Sequence, residues 1–172
     1  MNLKKGFTLI ELLIVIAILG VMAVVALLAI DPVEQLARTR DAGRASTVSQ
    51  LGRALSAFYT NSSAYPTQNN TWVTAIVTSG EVSTVPTQIG TAGCPAGSAA
   101  QNGWCYTTGT VSGTPQAIVF ALTESKRNDN LCATPATQVA WQVYSTAAGR
   151  GGIVCTANAT TAPANGVTAF QN

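Results

Sequence analysis

The sequence predicts an α+β protein: a long amino-terminal α-helix, apolar in its first half and amphipathic in its second, packed on a small antiparallel β-sheet domain. Three observations predict it. Phe7 to Ile30 is an apolar run of 24 residues whose one formal charge is Glu11. From Val33 to about Tyr59 apolar residues recur at steps of three and four, the period of a helix face. Beyond Trp104, short alternating stretches lie between Gly/Ser/Thr turns, the pattern of hairpin-connected strands.

The apolar run is long enough to cross a bilayer. At about 1.5 Å per residue it extends ~36 Å, against a hydrocarbon core of about 30 Å. Lys4 and Lys5 precede it, and Asp31 and Glu34 follow it. The positive-inside rule then keeps the amino terminus cytoplasmic and exports the rest. A secretory signal peptide also joins basic residues to an apolar core, and Val24 and Ala26 have the spacing of a cleavage site. That alternative fits less well, because such cores run to about 7–15 residues and rarely hold an acid. Gly20, in mid-span, lowers helix stability by about 1 kcal/mol relative to Ala and permits close helix approach or local unwinding.

Glu11 needs a partner or a way out of the lipid. An ionisable group at the centre of a span costs ~2.5–3.5 kcal/mol on insertion scales, and less near the interface. No cation lies within the run. A cut between Gly6 and Phe7 would create an α-amine four residues before Glu11. The acid of one helix would then meet the amine of a neighbour shifted along the axis. The simpler alternative is a carboxylate that snorkels to the headgroups or is protonated there.

Lys5-Gly6-Phe7-Thr8-Leu9-Ile10-Glu11, with its apolar continuation to Gly20, resembles the amino-terminal signature of type IV pilins and of the pseudopilins of type II secretion. The likeness is dense over about 25 residues and looser beyond. It implies a type IV pilin fold and a leader, residues 1–6, removed by prepilin peptidase. It also implies N-methylation of Phe7, and docking of each subunit through Glu11 into a helical homo-oligomer at an inner-membrane assembly platform. The family's helix-disrupting proline matches Leu28 here, whereas this chain has Pro32. That departure leaves open where the helix bends.

Asp31-Pro32-Val33-Glu34 reads as a fresh helix start: Asp31 caps, Pro32 suits the first helical position, and Glu34 is the capping-box acid. Should the helix run through instead, Pro32 would kink it. Ala45, Val48, Leu51, Leu55 and Phe58 form one stripe, with Glu34–Arg38 and Asp41–Arg44 as supporting pairs. Trp72 to Thr78, with Gly80 after it, reads as a short helix, a strand being the alternative. Trp104–Thr108, Gln116–Leu122, Gln138–Ser145 and Ile153–Cys155 are the expected strands, and 156–172 an expected mobile tail or surface loop. The domain plan is leader 1–6, membrane and filament-core helix 7–30, amphipathic extension 31–60 and exported α+β domain 61–172.

Composition excludes more than it selects. The chain has no histidine, the usual general base and commonest metal ligand. Glu81, Glu124 and Asp129 are scattered, so neither a catalytic pair nor a calcium cluster is expected. Catalytic residues, metal and cofactor are all expected to be none. Lys126, Arg127 and Arg150 supply little of the charge that nucleic-acid binding needs. Without Lys4 and Lys5, seven basic side chains face seven acidic ones.

Cys94, Cys105, Cys132 and Cys155 all lie on the exported side, which points to disulfides. Three connectivities are possible. Cys94–Cys105 with Cys132–Cys155 is preferred because each closes a short loop over Gly-rich chain.

The function expected is a structural subunit, membrane-held as a precursor and then polymerised into a surface filament. A major pseudopilin, or a competence-type pilin contacting DNA, are the alternatives.

Overall fold

The computed structural model describes residues 6–87 and 93–171. Lys4 and Lys5, and with them all of the expected leader except Gly6, lie outside the described residues. The chain divides into two compact units, Met1–Leu36 and Ala37–Asn172.

The first unit holds α1 (Leu9–Ile30) and the start of α2 (Pro32–Ser62). The Leu, Ile, Val and Ala of α1 carry no buried face: none of its residues is buried in the subunit. The helix stops where Asp31 turns left-handed, at φ 44° and ψ 74°, a conformation open to Asp more than to most residues. Pro32, lacking an N–H, then opens α2. The Asp31 Oδ1 accepts from the Glu34 N–H at 3.3 Å, which caps the new helix. The backbone therefore leaves the helix for one residue rather than running on through Pro32.

In the second unit a five-stranded antiparallel meander has strand order β1-β2-β3-β4-β5. The strands are β1 (Ala99–Gln101), β2 (Trp104–Val111), β3 (Thr114–Leu122), β4 (Val139–Ser145) and β5 (Arg150–Thr156), and α3 (Trp72–Thr78) precedes them. Two-residue turns join β1 to β2 and β2 to β3. Asn102 (φ 51°) with Gly103 (φ 79°), and Ser112 (φ 51°) with Gly113 (φ 82°), supply the paired positive φ such hairpins need. α3 ends in a paired cap around Gly80: its N–H donates to the Val77 carbonyl at 3.0 Å, and the Glu81 N–H to that of Ile76 at 3.2 Å.

The sheet is covered on both faces. On the inner face Val48, Leu51, Ala54 and Leu55 of α2 pack with Trp72, Val73 and Ile76 of α3 over Tyr106, Val119 and Tyr144. Trp72 stacks on Tyr106 at 4.7 Å. Each large aliphatic or aromatic side chain buried here contributes about 1.5–3 kcal/mol. Ala45 at the head of the expected stripe is only half-buried.

The outer face presents Ile118, Phe120, Trp141 and Val143, and against it lie Ala162, Val167 and Phe170. Of the two expectations for 156–172, a mobile tail or a surface loop, the described residues up to Gln171 give a packed surface loop, and the mobile tail is corrected. Gln171 closes a bridge to Ile153 with an N–H···O bond of 2.8 Å. Asn165 accepts from the Thr107 hydroxyl at 2.7 Å, and Arg150 lies 4.5 Å from the centre of the Phe170 ring. The tail crosses the sheet as a strap.

The described acids of this unit have structural work, and Glu124 is not an isolated turn residue. Fully buried Arg44 donates to the Leu122 carbonyl at 2.8 Å, to Asp41 at 3.2 Å and to Glu124. Arg40 donates to the other Glu124 oxygen at 2.6 Å. Asp41 in turn accepts from the Glu124 and Ser125 N–H groups, both at 2.9 Å. The network ties α2 to the loop before α4 (Lys126–Asp129). Cys94 is bonded to Cys105, with Cα atoms 5.4 Å apart, and Cys132 to Cys155, at 5.7 Å. The first bond sits in the outer-face cluster; the second links the segment after α4 to β5.

Candidate functional site

The site begins with a residue that the sequence reading passed over. Thr8, extended at φ −84° and ψ 148°, is the N-cap of α1. Its hydroxyl oxygen accepts from the Glu11 N–H at 3.3 Å. Glu11 reaches back, its Oε2 accepting from the Thr8 N–H at 2.9 Å and from the Thr8 hydroxyl at 2.7 Å. This is a reciprocal capping box, spelled Thr-x-x-Glu in the chain. The acid of the apolar run therefore has donors within its own helix. It also lies in the first turn, where the helix dipole favours negative charge.

Gly6 and Phe7 stand just before this cap. Phe7 is 76% exposed, and among the described residues nothing lies within 4 Å of the place a Cβ would occupy at Gly6. Backbone and side chain at the Gly6–Phe7 bond are open to another molecule. α1 continues unbroken through Gly20, where likewise nothing lies within 4 Å of a would-be Cβ. No packing within the subunit requires that glycine.

Downstream of the cap the surface is apolar all round. Among the described residues, every exposed large hydrophobic side chain lies between Phe7 and Leu36. A helix apolar on every side belongs in lipid or in the core of a larger assembly. By length and composition this one can cross a membrane. What the arrangement offers chemically is binding: an open peptide bond, a carboxylate aimed at the amino terminus, and an apolar cylinder.

Comparison with known proteins bears on this same stretch. Residues 1–27 match the family described as the prokaryotic N-terminal methylation motif. No curated protein matches the chain, and no solved structure matches it. The motif match supports the type IV pilin and pseudopilin family for this chain. The long apolar helix with a five-stranded antiparallel sheet is an α+β, type IV pilin-like arrangement.

Proposed function

We propose that this pilin-like precursor is a subunit of a helical surface filament. Prepilin peptidase cuts between Gly6 and Phe7, the new terminus is N-methylated, and subunits polymerise through α1 at an inner-membrane assembly platform. The leader is 1–6, the membrane and filament-core helix 7–30, the extension 31–60 and the exported domain 61–172. Before assembly the chain crosses the membrane once, amino terminus inside; afterwards the filament is extracellular.

The observation that carries this reading is the division of the surface. The unit from Ala37 onward closes both faces of its sheet with its own residues, α2 included, whereas α1 buries nothing. The apolar helix is left for lipid first and for other copies later. Moving from lipid to a helix bundle gains little from water exclusion, so packing and polar pairing must drive the step. The Glu11 carboxylate, facing the α-amine of a neighbour, supplies the polar pair. Gly20 and the one-residue break at Asp31 and Pro32 are the places where close approach or bending is accommodated. Neither the family nor the fold calls for catalysis.

Shearing cells and imaging the released material tests the proposal. Filaments containing this chain, absent from a strain lacking it, are expected. A short periplasmic stub, with protein export blocked on deletion, would move the assignment to a pseudopilin.

A further inference from the structure

Resting on the reading of a membrane-held precursor, we infer that Arg38, Lys126 and Arg127 form a surface for the phosphate of an anionic phospholipid headgroup on the exported side of the membrane.

Arg38, near the start of α2, and Arg127, on α4, line one cleft of about 290 Å³, with Ala42 and Ala45 on its α2 wall. The two alanines leave open the room that longer side chains would fill. Lys126 precedes Arg127 in the chain, and all three cations are exposed. The acids around the cleft are engaged elsewhere. Asp41, also on its wall, accepts from the Glu124 and Ser125 N–H groups, from Asn128 at 2.8 Å and from Arg44. Those bonds fill the roughly four sites a carboxylate offers. Glu124 is held by Arg40 and Arg44. Asp129 is half-buried and accepts from the Ala140 N–H at 3.4 Å. Upstream, Glu34 is buried and Asp31 caps α2. The exposed charge of the cleft is therefore positive. Arg38, Lys126 and Arg127 also make contacts within the chain. A guanidinium carries five N–H donors and an ammonium three, which gives capacity beyond such contacts. Guanidiniums on one cleft suit phosphate, whose oxygens they take in pairs.

The tether decides which phosphate. Arg38 follows Ile30, the end of the apolar run, by eight residues. Fully extended, such a stretch reaches at most about 29 Å, and as helix about 12 Å. A subunit whose α1 sits in the bilayer therefore keeps Arg38 within reach of the headgroups, whatever the path between them. Linkage of this kind makes headgroup binding an intramolecular event, whereas a free phosphate must come from dilute solution. Exposed Val33 and Leu36 lie on the same short connection, an apolar flank along which basic side chains snorkel to the interface. An anionic bilayer surface attracts juxtamembrane basic residues, and the attraction dies away within a Debye length.

Arg53 serves as the internal reference. It is exposed on the same helix and stands ~22 Å beyond Arg38 along α2, more than twice the Debye length of about 10 Å at 0.1 M salt. The full-length chain is inserted into nanodiscs of phosphatidylcholine, alone or with about a third phosphatidylglycerol. Arginines are modified with p-hydroxyphenylglyoxal, and each is read by peptide mass spectrometry.

From neutral to anionic discs, modification of Arg38 and Arg127 relative to Arg53 is expected to fall at least ~5-fold. It is expected to recover in about 1 M NaCl, where the screening length is ~3 Å. Arg38→Gln is expected to remove most of the protection of Arg127. Equal ratios in the two discs, or protection that survives high salt, would overturn the inference. So would full protection of Arg127 in Arg38→Gln, which would show that the two side chains share no ligand. Protection in neutral discs by inorganic phosphate alone would make the ligand a free anion and equally overturn it. A chain that enters neither disc would sink the membrane-held reading, and this inference with it.

Discussion

Tyr144 of β4 lies where a side chain at Gly52 of α2 would begin: a Cβ there would sit 2.1 Å from the Tyr144 Cδ1 and 2.2 Å from its Cγ. Helix and sheet touch with no side chain between them on the helix side. Elsewhere in a helix, replacing Gly by Ala stabilises by roughly 0.5–1 kcal/mol. Here the sign reverses.

Gly52→Ala is expected to cost about 1–3 kcal/mol through overpacking. A urea titration of the purified chain in detergent, followed by emission from the buried Trp72, Trp104 and Trp141, measures it. The loss should shrink in a Tyr144→Ala background, since the two sites share one contact.

The charge network between α2 and the loop before α4 gives the domain an acid limb. Burial alone would raise the Glu124 pKa, but hydrogen bonds and positive charge from Arg44 and Arg40 outweigh it and hold the carboxyl below its ordinary value. A folded pKa below the unfolded one gives stability that is complete above about pH 4.3, the unfolded value. It is lost as the pH falls through the lower, folded value. Urea midpoints should therefore drop on acidification through this range, and Glu124→Gln should flatten that drop. Arg44→Met should cost about 3–5 kcal/mol at neutral pH, because it strips a buried pair of one partner. Arg44→Lys should not rescue it, one ammonium being unable to reach the Leu122 carbonyl, Asp41 and Glu124 together.

The strap makes a prediction about the carboxy terminus. A Cβ at Gly152 would come within 2.7 Å of Phe170, so ring and backbone are in close contact. Phe170 is only half-buried, so Phe170→Ala should lose roughly 1–2 kcal/mol, less than the ~1.5–3 kcal/mol of a fully buried ring. It should also render residues after Thr161 sensitive to brief proteolysis, from which the wild type is protected.

Peptide mapping without reduction should recover Cys94 joined to Cys105 and Cys132 joined to Cys155. Removing either pair as a double Cys→Ser variant should cost about 2–5 kcal/mol in the same urea titration.

How legible this was in the chain depended on whether the signal was local. The α1–α2 boundary was spelled by Asp31-Pro32, and β2 to β5 by alternation between turns, although only the boundaries at Trp104, Leu122 and Ser145 held and the others moved by up to three residues. β1 went unread because Ala99, Ala100 and Gln101 carry no strand propensity; Asn102-Gly103 was the hairpin signal beside it. The strap hid in an Ala/Thr/Asn-rich composition that reads as surface, its apolar residues spread thinly from Ala162 to Phe170. Glu124 hid because its partners lie some eighty residues away in the chain.

The amino-terminal site divides in the same way. Glu11 stands out by type against an apolar background, whereas Gly6 and Phe7 were named by the resemblance of the whole stretch. The Thr8–Glu11 box is a four-residue signature that was equally present in the sequence. Attention to charge alone passed over it, because a hydroxyl and an N–H carry none. Gly52 gave no local sign: nothing short of the fold places Tyr144 against it.

The most direct measurement is the intact mass and terminal sequence of the chain recovered from sheared filaments. The account predicts a single mature species beginning at N-methylated Phe7, with residues 1–6 gone. Filaments built from chains that begin anywhere else, or that keep Lys4 and Lys5, would contradict it.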